Sequence, residues 1–242
     1  MVVARKPVDR YARARTLVDR AAPAEVRPGI AGVLDRVCTA ATGDVRLSGA
    51  TVHLMTDAGH QGVAAGSGRE AREWGEVAFT AGEGPCLDAW RNRRPVLVPD
   101  LAAQRGRWPG YAASLLDHGV GCVLAFPVSI GAMGLGVLEG YGAARRGVDT
   151  EATGMMTAFA RVATEALVDG PEMGDSGARE LSATLEPRVE IHQAQGMVMV
   201  VLEVTLVEAL LRMRAHAFAI DVPLLVLAQE ILARRSDPRD WS

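Results

Sequence analysis

Near the middle of the chain two strand-like apolar runs, residues 122–130 and 135–141, are separated by only Gly131, Ala132, Met133 and Gly134. A parallel crossover needs about a dozen residues or more, so a four-residue connection forces the two strands to run antiparallel. The chain therefore reads as α+β, with an antiparallel sheet, and not as a doubly wound parallel fold.

The surrounding sequence supplies the other layers. Apolar spacing predicts a helix over 28–41, followed by a strand over 50–55 in which Val52 and Leu54 alternate with Thr51 and His53. Asp57-Ala58-Gly59 reads as a hairpin turn into a second strand over 62–65. A helix over 69–78 carries Trp74. Beyond a turn at 82–85 come a short helix through Trp90, a strand over 95–98 and a helix over 111–117. A last helix over 150–168 brings Met155, Met156, Phe159, Val162, Ala163 and Ala166 to the core. Residues 27–169 thus form one mixed domain.

Residues 170–177, Gly-Pro-Glu-Met-Gly-Asp-Ser-Gly, are rich in breakers of regular structure and mark a linker. Past it, 178–242 reads as all helical. Leu181, Leu185 and Val189 recur at one-turn spacing, as a stalk that pairs two copies would require. Ile191, Ala194, Val198, Val201 and Leu202 form one apolar stripe, and Leu206, Leu210, Met213, Ala217 and Ile220 a second. Thr205 and Glu208 have capping-box spacing, which starts a helix between the two stripes. Asp221 and Pro223 mark a third start, with Leu224, Leu227, Ala228, Ile231 and Leu232 on its buried side.

Composition narrows the function. Nearly half of the 242 residues are hydrophobic, enough for a real core. No apolar run reaches the roughly 18 residues of a membrane span, and the opening MVVARKPVDR has no signal-peptide hydrophobic region, so the expected location is cytoplasmic. Residues 1–26 form a basic arm: Arg5, Lys6, Arg10, Arg13, Arg15 and Arg20 face only Asp9 and Asp19 up to residue 20. That composition suits a solvated terminus or nonspecific attraction to nucleic acid. Cys38, Cys86 and Cys122 are too scattered for a zinc motif or a disulfide framework. Phosphate-loop, zinc-protease and nucleophile-elbow motifs are absent, so no catalytic residue, metal or cofactor is expected.

Three passages of the larger domain, GEGPCLDAW at 82–90, RPVLVPDLA at 94–102 and the 123–141 hairpin, resemble the GAF family of sensory modules. The resemblance implies an antiparallel sheet flanked by helices and a pocket for a small molecule. The pocket belongs between the sheet and residues 82–111, with Trp90, Trp108 and Tyr111 as aromatic walls and Asp100 or the amides near Gly84 as polar anchors. Core filling by the tryptophans and turn capping by Asp100 are the alternatives. Cys86 follows Pro85 at a predicted helix start, where a thiolate is favoured, so it is a candidate redox or ligand residue, against a buried inert thiol. Haem is disfavoured, because His53, His60 and His118 sit in no distinctive ligand context.

The smaller region resembles the ANTAR family of RNA-binding antiterminators. Ile191, His192, Gln193, Ala194, Gln195, Gly196, Met197, Val198 and Met199 follow its usual opening, with Glu208-Ala209, Met213-Arg214 and Ala228 continuing the match. Gln195 stands where the family has lysine. The resemblance implies a homodimer that binds paired RNA hairpins of nascent transcripts, with Arg188, Gln195, Arg212, Arg214 and His216 as candidate contacts. Acidic residues outnumber basic ones from Arg188 onward, which leaves little charge for phosphate neutralisation. Two other readings stay open. One is a GAF-type methionine sulfoxide reductase; the other is a protein-interaction regulator that has lost RNA binding.

Overall fold

The computed structural model describes residues 9–23, 25–56, 59–143, 148–169, 187–220 and 222–241. The linker at 170–177 and the stalk positions Leu181 and Leu185 lie outside them. The chain folds as two compact units, a larger one that runs through the helix Thr150–Asp169 and a smaller one of three helices. Among the described residues no single helix is long and apolar enough to cross a membrane.

The larger unit is built on a five-stranded antiparallel sheet of order β2-β1-β5-β4-β3. Its strands are β1 (Gly49–Thr56), β2 (Gly59–Gly66), β3 (Val96–Val98), β4 (Cys122–Ile130) and β5 (Met133–Gly142). As the short connection requires, β4 and β5 form a hairpin, in register from Cys122 opposite Gly142 to Ile130 opposite Met133. One face is covered by α1 (Arg10–Arg20), α2 (Gly29–Val45) and α6 (Thr150–Asp169). There Val52, Leu124, Phe126, Val128 and Leu138 pack on Leu34, Val37, Met155, Met156 and Phe159 in a dry core. The other face carries α3 (Arg69–Ala81), α4 (Pro85–Asn92) and α5 (Pro109–Asp117).

Within the predicted basic arm, Arg10–Arg20 form the helix α1. Asp9 caps α1 by accepting from the amides of Tyr11 and Ala12, and Ala14 and Val18 are buried against the core. Its cations have local partners: Arg10 pairs with Glu151 at 2.8 Å and Arg13 with Asp44 at 2.5 Å. The segment had shown only its charge, because two buried residues on a short helix make a weak apolar signal beside so many arginines.

At the β2 edge the fully buried Asp35 of α2 joins both faces. Its carboxylate meets Arg27 at 2.5 Å and Arg72 of α3 at 2.6 Å, and accepts from the Gly66 amide at 3.0 Å. Both oxygens are engaged, and by cationic partners, which is the condition for keeping a carboxylate in a core.

The smaller unit contains α7 (Pro187–Leu202), α8 (Leu206–Ala219) and α9 (Leu224–Leu232). Thr205 caps α8 by accepting from the Glu208 amide at 3.2 Å, as the capping-box spacing predicts. Ile191, Ala194 and Val198 meet Ala209, Met213, Ala217, Leu224, Leu227, Ala228 and Ile231 in its core. The predicted stripes are wider than the core: Val201, Leu206 and Ile220 remain exposed.

Candidate functional site

Successive side chains of a strand point to opposite faces, so Thr51 and His53 of β1 share one face, and Glu139 and Tyr141 of β5 share one. The register sets Thr51 directly opposite Glu139, with Gly49 opposite Tyr141, which brings all four to the face covered by α3, α4 and α5. All four are fully buried. A sheet that is apolar behind is thus polar in front.

The helices complete the cluster. Pro85 opens α4 and places Cys86, fully buried, in its first turn above the sheet. Glu83 accepts from the amides of Gly110 and Tyr111 at 2.8 and 3.1 Å, which fixes the start of α5 and aims the Tyr111 ring inward. Two glycines permit the close approach. A Cβ on Gly75 of α3 would come within 2.7 Å of Val63 and within 3.3 Å of both Thr51 and His53. Gly84, at φ 131°, holds a left-handed conformation with its Cα face against the Tyr111 ring.

Glu139 is the hub. Tyr111 donates to its Oε1 at 3.1 Å and Tyr141 to its Oε2 at 2.8 Å, while His53 Nε2 lies 3.2 Å from Oε2. Thr51 Oγ1 is 2.9 Å from both His53 Nε2 and the Tyr141 hydroxyl. Burial, reinforced by the charge of Glu139, pushes both tyrosine hydroxyls well above the ordinary phenol range. They therefore remain donors at any physiological pH. Trp74 packs edge-on against Tyr141 at 5.6 Å and walls the cluster on the α3 side. His53, Cys86 and Glu139 point ligand atoms at one another, all within 4.8 Å.

The GAF domain family model matches residues 29–168, which hold the whole sheet and this cluster. The chain belongs to the GAF family. Solved GAF domains share its fold. The GAF domain of a phosphoenolpyruvate-protein phosphotransferase from Coxiella burnetii superposes with a TM-score of 0.52 at 14% identity, covering 67% of this chain and 92% of that one. The corresponding Acinetobacter domain gives 0.51 at 12% identity, covering 69% and 96%. No curated protein matches the sequence.

Within this GAF domain the predicted ligand residues separate. Cys86 and Tyr111 reach the cluster. Trp108 is buried at the start of α5, edge-on to Tyr111 at 6.5 Å, with Arg107 stacked over its ring at 4.4 Å. Trp90 packs by the β5 end at Gly134, with Arg93 over its ring at 3.9 Å. Asp100 accepts from the Ala103 amide at 3.3 Å and so caps a turn, the alternative its sequence context allowed. Thr51, Glu139 and Tyr141 belong to no ligand-binding sequence motif, and His53 stands in no distinctive ligand context. The available signal was the pair of polar residues two apart in each of two strands, on faces that both had to be buried.

The cysteines occupy different layers. Cys38 lies in the core behind the sheet and Cys86 in front of it. Burial raises the Cys38 and Cys122 thiols above their ordinary range, which disfavours the reactive thiolate.

In the smaller unit the candidate RNA contacts whose side chains are described, Gln195, Arg212, Arg214 and His216, do not share one face. Gln195 is 8% exposed; its Nε2 donates to the Leu206 carbonyl at 2.7 Å and its Oε1 sits 3.2 Å from His192 Nδ1. It ties α7 to the start of α8, with both ends of its side-chain amide engaged inside the unit. His216 stacks on Trp241 at 4.5 Å with the rings nearly parallel. Arg212 is exposed and pairs with Glu208 at 2.7 Å. Arg214, half-buried, flanks the opposite side of the Ala209–Met213–Ala217 stripe. Arg188 lies in the first turn of α7, and its side chain is outside the described residues.

Proposed function

We propose that this chain is a cytoplasmic, non-enzymatic two-part regulator: the buried cluster of the GAF domain receives a small ligand, and the three-helix unit acts on RNA as a homodimer. The input half is carried by the convergence of Thr51, His53, Cys86, Tyr111, Glu139 and Tyr141 at one buried point. A polar group of this size inside a core costs stability, and two tyrosines shifted by burial beside a carboxylate mark a candidate functional site.

The output half is supported by the ANTAR resemblance along 191–228 and by the three-helix order, with helix starts after Thr205 and Pro223. Arg188, Arg212 and Arg214 remain its candidate contacts; Gln195 and His216 serve packing. Arginine suits this task because its planar fork grips phosphate and stacks on unpaired bases. The test is a mobility-shift titration of the full chain with a tandem-hairpin transcript at low salt. Binding that weakens in Arg212→Ala and Arg214→Ala, with unchanged melting, is the expected result. Failure of the folded wild-type chain to bind any such RNA removes the RNA reading.

One observation favours a second reading, a protein-interaction output. Val207, Leu211 and Phe218, four and seven residues apart on the outer side of α8, are 80%, 63% and 75% exposed. Partner capture that survives nuclease and is lost in Leu211→Asp would place the output there.

A further inference from the structure

We propose that His53, Cys86 and Glu139 form a binding site for a single divalent transition metal ion, zinc in the first instance. The three candidate ligand atoms already lie within 4.8 Å of one another. The 3.2 Å from His53 Nε2 to Glu139 Oε2 is close to the separation of about 3.3 Å that two ligands at roughly 2.0–2.1 Å make across a tetrahedral angle. Two of the three ligand atoms are therefore spaced as a bound ion would hold them.

The donor chemistry selects the ion. One thiolate, one imidazole and one carboxylate are a mixed set of intermediate softness, which suits zinc and its first-row neighbours and is poorly matched to calcium or magnesium. Charge agrees with burial: a divalent cation with a thiolate, a carboxylate and a neutral imidazole sums to zero, the cheapest state for a site fully removed from water. The surroundings supply the orientation that metal ligands need. Tyr111 and Tyr141 donate to the two oxygens of Glu139, and Thr51 meets the Tyr141 hydroxyl, while the contact Thr51 makes with His53 Nε2 is the one an ion replaces.

Three protein ligands leave a fourth tetrahedral position, and the Tyr141 hydroxyl, 2.8 Å from Oε2 and 3.5 Å from Nε2, borders it. The ligands come from β1, from β5 and from the first turn of α4. An ion there ties the α4 layer to the sheet. Because the site is sealed, the ion enters as the chain closes around it.

The proposal rests on reading the cluster as the input site, and metal uptake is measured apart from RNA binding so that either can fail alone. The full-length chain is assayed for metal as purified, then unfolded with chelator and reductant and refolded with zinc or cobalt(II). The expected result is about one equivalent of either ion, a raised melting temperature, and for cobalt both tetrahedral ligand-field bands and a thiolate-to-metal charge-transfer band. Cys86→Ser abolishes the charge-transfer band; Cys122→Ser keeps it. Tyr111→Phe, which keeps the ring and removes one support of Glu139, weakens uptake about 10- to 100-fold. A wild-type chain that refolds with native circular dichroism and takes up neither ion overturns the proposal without recourse to any variant. So does cobalt binding whose spectrum is identical in Cys86→Ser and Glu139→Gln.

Discussion

The two faces of the sheet are cut from the same strands and are equally dry, yet they are built on opposite principles. Behind, Val52 and Leu138 meet Phe159 and the methionines of α6, and stability comes from apolar contact that tolerates modest change in shape. In front, Thr51, His53, Glu139 and Tyr141 are held by a closed set of hydrogen bonds in which each member depends on its neighbours. Burial alone therefore says little about role. The back face is what lets a domain of this size carry a polar front face at all.

The sharpest way to break that comparison is to damage the back. Phe159→Ala should cost about 3–5 kcal/mol, read as a fall in the urea midpoint, because a full aromatic volume is emptied from a packed core. A loss below about 1 kcal/mol would mean that the apolar face is not the main source of stability. Next, Asp35→Ala removes the anion that holds Arg27 and Arg72 at the sheet edge. Both arginines are partly solvated, so a loss of about 3 kcal/mol is expected, at the low end for a broken buried pair. Thermal melts of the wild type, Asp35→Ala, Arg72→Ala and the double variant measure the Asp35–Arg72 coupling.

On the front face, Glu139→Gln turns one acceptor oxygen into a donor that confronts a hydroxyl or the imidazole. About 2 kcal/mol of stability should be lost with little change in the far-ultraviolet spectrum. The smallest effect sharpens the comparison through pH. Tyr111 and Tyr141 have hydroxyls raised above the unfolded value of about 10, so the folded state holds its phenolic protons longer than the unfolded chain does. Their contribution is fully present below about pH 10 and is lost as pH rises from there toward the folded values. Alkaline melts should fall more steeply for the wild type than for Tyr111→Phe, Tyr141→Phe. Equal slopes would show that the two hydroxyls are not sealed from water.

The front face was also where the sequence was hardest to read. The 82–111 segment announced itself through Gly84, Pro85 and its aromatic residues, so the position of the site and two of its members, Cys86 and Tyr111, were legible. Thr51 and His53 alternated with Val52 and Leu54, as a half-wet strand would show. Only the covering helices α3–α5 turn that polar side into an interior. Glu139 showed only its two-residue spacing from Tyr141, because its other partners, His53 and Tyr111, are distant in sequence. In the smaller unit the helix starts were written in Thr205 and Pro223, whereas the stacking of His216 on Trp241 and the inward turn of Gln195 depended on how the helices close.

By itself the sequence determined the antiparallel hairpin, the division into a mixed domain and a helical one, and the GAF-like order of elements. Those rest on local spacing, turn chemistry and apolar periodicity, which act within a few residues. The tertiary structure alone decided that His53, Cys86 and Glu139 meet. Convergence of side chains from two strands and a helix is set by register and layer packing, and neither is encoded in any short window of the chain.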